Sequence, residues 1–168
     1  MSTDRLFVKS AKSATPVASS KGAIEKMLRR YGATAFQVSE DYTSGRITLS
    51  FAIPNSAEKG ADVVPVRIPI EVQRVYHALY GVPKKRYTNE PDPKGYDASK
   101  MAQAERVAWR NLVLWLDAAL SAATIGLQTI TEAFFAHAML GGDGRRAIDV
   151  AASGDPIYTR QLGAGATP

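Results

Sequence analysis

"TAFQVSEDYTSGRITLSFAI", residues 34–53, decides the fold class. Phe36 and Val38 alternate with polar neighbours, "EDYTSG" interrupts the alternation, and Ile47, Leu49, Phe51 and Ile53 resume it. A period of two places those side chains on one face of an extended chain, so the stretch predicts two strands joined by a turn. After Pro54 and the connection "NSAEKGAD", the run "VVPVRIPIEV" (63–72) sets Val64, Val66, Ile68 and Ile70 on one face. Pro65 and Pro69 have no backbone N–H to donate. This third strand is therefore expected at a sheet edge, where the prolines also block stray pairing.

Helices flank the strands. In "KGAIEKMLRRY" (21–31) the spacing of Ile24, Met27, Leu28 and Tyr31 predicts an amphipathic helix, with Ser20 as N-cap and Gly32 as its stop. "VQRVYHALYG" (72–81) reads as a short helix ending at Gly81, and residues 82–96, with three prolines and many charges, as a long loop of the kind that is functional or disordered. Asp97 is the expected N-cap of a long helix over about 98–124, which holds both tryptophans. Its broad apolar face comprises Trp109, Leu112, Val113, Leu116, Ala119, Leu120 and Ala123, widened by Met101, Ala104, Ala108 and Trp115. Trp115 lies two positions past Val113, so the two cannot share a narrow stripe, and Trp115 needs a second covering surface: another helix or a partner. "TITE" (129–132) is a capping box opening a helix through "TEAFFAHAML" to Gly141-Gly142, and "GRRAIDVAA" (144–152) predicts one more short helix.

The predicted fold is α+β: an N-terminal helix, a three-stranded antiparallel β-meander, then two to three C-terminal helices including one long apolar helix. Residues 1–20 read as a flexible basic arm, 21–152 as a single α+β domain and 153–168 as a loosely ordered tail.

Composition narrows the chemistry. The 168 residues are 45% hydrophobic, enough for a substantial core. Cysteine is absent, which excludes disulfides, zinc–thiolate sites and thiol nucleophiles and fits a reducing cytoplasm. No apolar run reaches the ~18 residues of a membrane span, and the N-terminus lacks the pattern of a secretory signal. The net charge of +5 is unevenly placed. Residues 1–32 hold Arg5, Lys9, Lys12, Lys21, Lys26, Arg29 and Arg30 against Asp4 and Glu25, a balance of +5 that equals the whole excess. "KKR" at 84–86 is a second basic concentration. Such asymmetry points to a polyanionic partner, either nucleic acid or an acidic protein face; the plainer alternative is solubility.

No catalytic signature stands out. "GGDG" (141–144) lacks a preceding strand and a following Gly-Lys-Ser/Thr, so it reads as a helix cap and turn. His77 and His137 read as core or boundary residues rather than bases. An α-β-β-β-α order also occurs in the restriction-endonuclease fold, whose strands carry magnesium-binding acids. Here Glu40 and Asp41 fall in a turn and Glu71 has no lysine at the required spacing, so a nuclease is disfavoured. No cofactor and no metal site are expected.

The elements "RRYGATAFQV", the charged turn, the strand "IPIE", "AERVAWRNLVLWLDAAL" (104–120) and "TITEAFFAHAML" (129–140) together resemble a family of uncharacterised small phage and prophage proteins. The resemblance spans roughly residues 28–140 and rests on a Tyr-Gly-Ala-Thr element followed by an aromatic, a short meander and a helix containing Glu-Arg-x-x-Trp-Arg-x-Leu. The longer connection through "VQRVYHALYG" and "KKRYTNEPDPKGY" departs from it. The resemblance implies a phage origin but carries no function of its own; small, basic, cysteine-free phage proteins often act in DNA replication or recombination or inhibit a host defence protein. The core order is also similar to that of single-strand annealing proteins and double-stranded-RNA-binding domains, at the level of fold alone.

The leading expectation is a non-enzymatic nucleic-acid-binding protein, cytoplasmic in the host and directed at single-stranded DNA. It would use Lys26, Arg29, Arg30, Lys84, Lys85, Arg86, Arg106 and Arg110 on phosphates and Tyr87 as a stacking ring. The alternatives are a protein that binds a host complex, with Trp115 at the partner surface, and a self-assembling structural subunit.

Overall fold

The computed structural model describes residues 8–41, 45–56, 60–140 and 144–153. The centre of the "EDYTSG" turn, the centre of the 55–62 connection, most of "GGDG" and the tail from residue 154 lie outside the described residues. In order, the elements are α1 (Val17–Arg30), β1 (Ala35–Asp41), β2 (Arg46–Pro54), β3 (Val63–Ile70), α2 (Val72–Tyr80), α3 (Ala98–Thr124), α4 (Ile130–Phe134), β4 (Met139–Leu140), β5 (Arg145–Arg146) and α5 (Ala147–Ala152). This is the α+β order that the hydrophobic periods predict. The three long strands form an antiparallel meander in the order β1-β2-β3, with β3 at an edge as its prolines require. Val66, Ile68 and Ile70 of β3 and Leu49, Phe51 and Ile53 of β2 are all buried.

Three helix boundaries differ from expectation; one is α5, which begins at Ala147 because Arg145 and Arg146 pair as β5. α1 begins at Val17, not after Ser20. Ser20 is 2% exposed inside the helix, and its N–H donates to the Pro16 carbonyl at 3.2 Å. The start signal was Pro16, whose fixed φ suits a helix entrance where amide donors have no intrahelical acceptor anyway. α4 ends at Phe134 and passes through a 3₁₀ turn (Phe135–His137) into extended chain, instead of continuing to Gly141. Ala138 forms an antiparallel bridge with Val66, and Met139 and Leu140 pair with Arg146 and Arg145. Pairing of the backbone in this segment overrides the helix preference of "TEAFFAHAML".

The contacts divide into two compact units, and residues 21–152 contribute to both. The first contains Met1–Met27, Glu40–Ile47 and Pro69–Ala119. Its buried side chains include Ile24, Tyr76, Val107, Trp109, Val113 and Leu116. Of the stretch read as an arm, residues 8–16 lie on α3: Gln103 Nε2 donates to the carbonyls of Ala11 (3.1 Å) and Ser13 (3.0 Å), and Asn111 Nδ2 to that of Lys9 (2.8 Å). Asp97 caps α3, accepting the Lys100 N–H at 2.9 Å and the Ser99 hydroxyl at 2.7 Å.

The second unit contains Leu28–Ser39, Thr48–Ile68 and Leu120–Pro168. Leu28, Leu49, Phe51, Ile53, Leu120 and Phe134 are buried here, with Phe51 and Phe134 edge to face at 5.4 Å. Each fully buried aliphatic or aromatic side chain stabilises by about 1.5–3 kcal/mol. α1 stops at Gly32, where φ is +81° and the Ala33 N–H reaches back to the Leu28 carbonyl at 3.0 Å. That left-handed closure suits a residue without Cβ. The capping box at Thr129 is present in full.

Candidate nucleic-acid interface

The strongest local construction falls in the loop read over 82–96, which is an ordered hairpin. Lys84 bridges Pro91, the Lys85 N–H donates to the Glu90 carbonyl at 2.8 Å, and the Asp92 N–H to the Pro83 carbonyl at 2.8 Å. Asn89, with φ +57°, makes the reversal. Three residues later Asp92 Oδ1 accepts the Lys94 N–H at 2.9 Å and its carbonyl accepts the Gly95 N–H. Gly95 is required by packing: a Cβ there would stand 2.9 Å from Pro83 Cβ and 3.1 Å from Asp92 Cβ.

This hairpin holds Tyr87 out into solvent at 91% exposure, with the Arg86 guanidinium 5.9 Å from its ring centroid. Lys84 and Arg86 are exposed, and among the described residues neither reaches a carboxylate within ion-pair distance. Lys85 differs: its ammonium lies 2.9 Å from Glu90 Oε2, which also accepts from the Thr88 hydroxyl. Its charge is largely matched within the hairpin.

Lys26, Arg29 and Arg30 share the exposed face of α1, opposite the buried line of Ser20, Ile24 and Leu28. Arg29 and Arg30 occupy its last turn, where cations also complement the unpaired carbonyls. Arg30 lines a cleft of about 980 Å³ in the second unit, together with Tyr31, Asn55, Leu127 and Glu132.

Arg106 is engaged within α3. Its Nε and a terminal nitrogen donate to Gln103 Oε1 at 3.0 and 2.6 Å, orienting the amide that holds residues 11 and 13. It is half-buried, as is Arg110. Lys21 pairs with Glu40 at 2.6 Å and lies 5.1 Å from the ring centroid of buried Trp109. Trp115, in contrast, is 39% exposed.

Among the described residues the remaining titratable groups show no convergent site. Glu40 is committed to Lys21, and Glu71 pairs with Arg74 at the start of α2. His77 Nε2 and the Tyr96 hydroxyl share a 2.8 Å hydrogen bond, with the rings stacked at 5.8 Å. Burial holds the pKa of His137 below its ordinary value, reinforced by Arg146. Three carboxyls are held below the usual range by hydrogen bonds: Asp97 by the Lys100 N–H, Glu132 by the Thr129 N–H and Asp149 by the Arg146 guanidinium. Among the described residues no group of three or more His, Asp or Glu side chains is placed to hold a metal ion. Nor is any helix there long and apolar enough to cross a membrane.

Sequence reasoning missed Tyr80 and Lys100, whose ammonium lies 5.6 Å from the Tyr80 ring centroid. The available signal was Lys100's place in the first turn after the Asp97 cap, where side chains lean back toward the helix start. Against family models, curated proteins and solved structures, the chain has no match.

Proposed function

We propose that this chain is a non-catalytic phage protein that binds single-stranded nucleic acid, in the first instance DNA, as an accessory of replication or recombination in the host cytoplasm. The observation that carries the reading is the hairpin: a segment secured by its own hydrogen bonds holds an aromatic ring 91% exposed beside unpaired cations. A solvent-exposed tyrosine on a rigid loop serves base stacking, and Lys84 and Arg86 serve phosphates. Lys85 contributes less because of Glu90. Phosphate contacts and ring stacking carry no base information, so binding is largely indifferent to sequence. The phage setting is carried over from the sequence resemblance of residues 28–140 alone.

Fluorescence anisotropy with a labelled oligothymidylate tests this. Lys84→Ala/Arg86→Ala is expected to flatten the dependence of log affinity on log salt by about 1.4, from roughly 0.7 per phosphate contact on a single strand. Tyr87→Ala is expected to weaken binding by about fivefold or more. Unchanged affinity in both variants overturns the assignment.

One observation favours a second reading. Trp115 is a large indole left 39% exposed on α3, a feature of protein-binding surfaces. A Trp115→Ala variant that loses a stoichiometric host partner while keeping nucleic-acid affinity would favour a protein-directed role.

A further inference from the structure

The first unit holds a second ring–cation pair. Tyr80, at the end of α2, is 43% exposed, with the Lys100 ammonium 5.6 Å from its ring centroid. The pair repeats the composition of the hairpin tip, where Arg86 stands 5.9 Å from Tyr87. The Tyr80 ring is backed by buried Tyr76, centroids 5.2 Å apart at 63°, and Tyr76 packs in turn on Tyr96 at 5.0 Å. The Tyr96 hydroxyl meets His77, so the whole aromatic group is tied to α2. A ring supported in this way is oriented before a ligand arrives, which lowers the ordering cost of binding.

Charge placement agrees. Residues 80–100 carry Lys84, Lys85, Arg86, Lys94 and Lys100 against Glu90, Asp92 and Asp97, a balance of +2. All three acids are engaged within the segment itself. Glu90 takes Lys85 and Thr88, Asp92 takes the Lys94 N–H, and Asp97 takes the Lys100 N–H and Ser99. Arg86 reaches no carboxylate among the described residues, and Lys100, although it feels the Asp97 charge, keeps its ammonium at the exposed Tyr80 ring, where an outside anion can meet it.

We propose that Tyr80 and Lys100 form a second nucleotide subsite that extends the hairpin tip. The ligand is then a single-stranded segment of several nucleotides and not a duplex. The inference rests on the reading of the tip as a nucleic-acid site. Tyr80 and Tyr87 are seven residues apart, at most about 25 Å of chain, a span within reach of a short strand. As a base stacks on Tyr80, Lys100 moves from the ring to the phosphate. One exposed cation–π contact is exchanged for a stack and an ion pair. Paired bases in a duplex already stack on their neighbours and offer no free face, so duplex is excluded from both rings.

Anisotropy on the full chain tests the subsite, with labelled oligothymidylates of 4 and 12 nucleotides and a 12-base-pair duplex as probes. Tyr80→Leu/Lys100→Gln is expected to weaken 12-mer binding by about five- to hundredfold, the range for loss of one base stack. It is expected to change 4-mer binding less, while Tyr80→Phe retains wild-type affinity. The wild type is expected to bind duplex at least tenfold more weakly than the 12-mer. If the double variant matches wild type while Tyr87→Ala weakens binding, the second subsite is overturned and the tip reading stands. If wild type binds neither oligonucleotide, both are overturned. Should the double variant melt early by circular dichroism, Lys100→Gln alone gives the readout: a salt slope reduced by about 0.7 supports the subsite, and an unchanged slope overturns it.

Discussion

Lys85 and Glu90 face each other across the hairpin, ammonium to carboxylate at 2.9 Å, while Lys84 and Arg86 on either side of Lys85 have no such partner among the described residues. The pair is exposed at both ends, so it adds little to stability. Its larger effect is on the field at the tip. Glu90→Gln is expected to tighten oligonucleotide binding by about two- to fivefold, the equivalent of the ~0.4–1 kcal/mol carried by an exposed charge contact. The melting temperature should barely change. Weaker binding in this variant would count against the hairpin as the anion site.

Gly95 tests whether the hairpin must be built as observed. Gly95→Ala places a methyl group 2.9 Å from the Pro83 ring. Relief requires the base of the hairpin to open, a cost of about 1–3 kcal/mol typical of overpacking. Thermal unfolding and anisotropy together are expected to show a less stable protein that also binds less well. A variant with wild-type melting and wild-type affinity contradicts the packing described.

Gln103 joins residues 90 and 92 positions away in sequence, since its amide grips the Ser13 and Ala11 carbonyls while accepting from Arg106. Gln103→Ala removes two hydrogen bonds and strands the half-buried Arg106 guanidinium, at about 1–3 kcal/mol. Trypsin cleavage after Lys9 and Lys12 is expected to accelerate. Arg106→Ala should produce the same cleavage change with little effect on nucleic-acid affinity; a large loss of affinity with unchanged cleavage would return Arg106 to the binding surface.

The acid limb of stability has two parts. His137 has its folded pKa depressed by burial, so its contribution is intact above the ordinary histidine value near 6.5 and is lost as pH falls through the folded value. Asp97, Glu132 and Asp149 are also depressed, so their contributions are intact above the ordinary carboxylate range near 4 and lost below it. Melting temperature is therefore expected to decline in two steps on acidification. Asp97→Ala should lower the plateau and flatten the second step. His137→Gln should remove the first.

Much of this fold is legible in the chain. Alternation at Ile47, Leu49, Phe51 and Ile53 fixes a strand and its inner face because one register alone turns all four to the same side, where Leu49, Phe51 and Ile53 are buried and Ile47 is half-buried. Asp97 and Thr129 mark helix starts because their side chains supply acceptors that the first turn lacks. What stayed hidden depends on distant partners. Ala138 leaves the helical path to meet Val66, and nothing in "TEAFFAHAML" reports that pairing. The site was half legible. Basic and aromatic composition singled out Lys84, Arg86 and Tyr87 as candidates, and the fold shows them exposed, but the match of Lys85 to Glu90 and the binding of Arg106 to Gln103 appear only when the chain is folded.

The two tryptophans end in different surroundings, Trp109 fully buried with an ammonium at 5.1 Å and Trp115 39% exposed. The indole N–H of Trp109 finds no acceptor among the described residues. Their emission should therefore separate by colour, a blue component shielded from acrylamide and a red one readily quenched. Because Lys21, over Trp109, belongs to α1, the blue component gauges the seating of that helix on α3, while the red one responds to whatever approaches the outer face of α3.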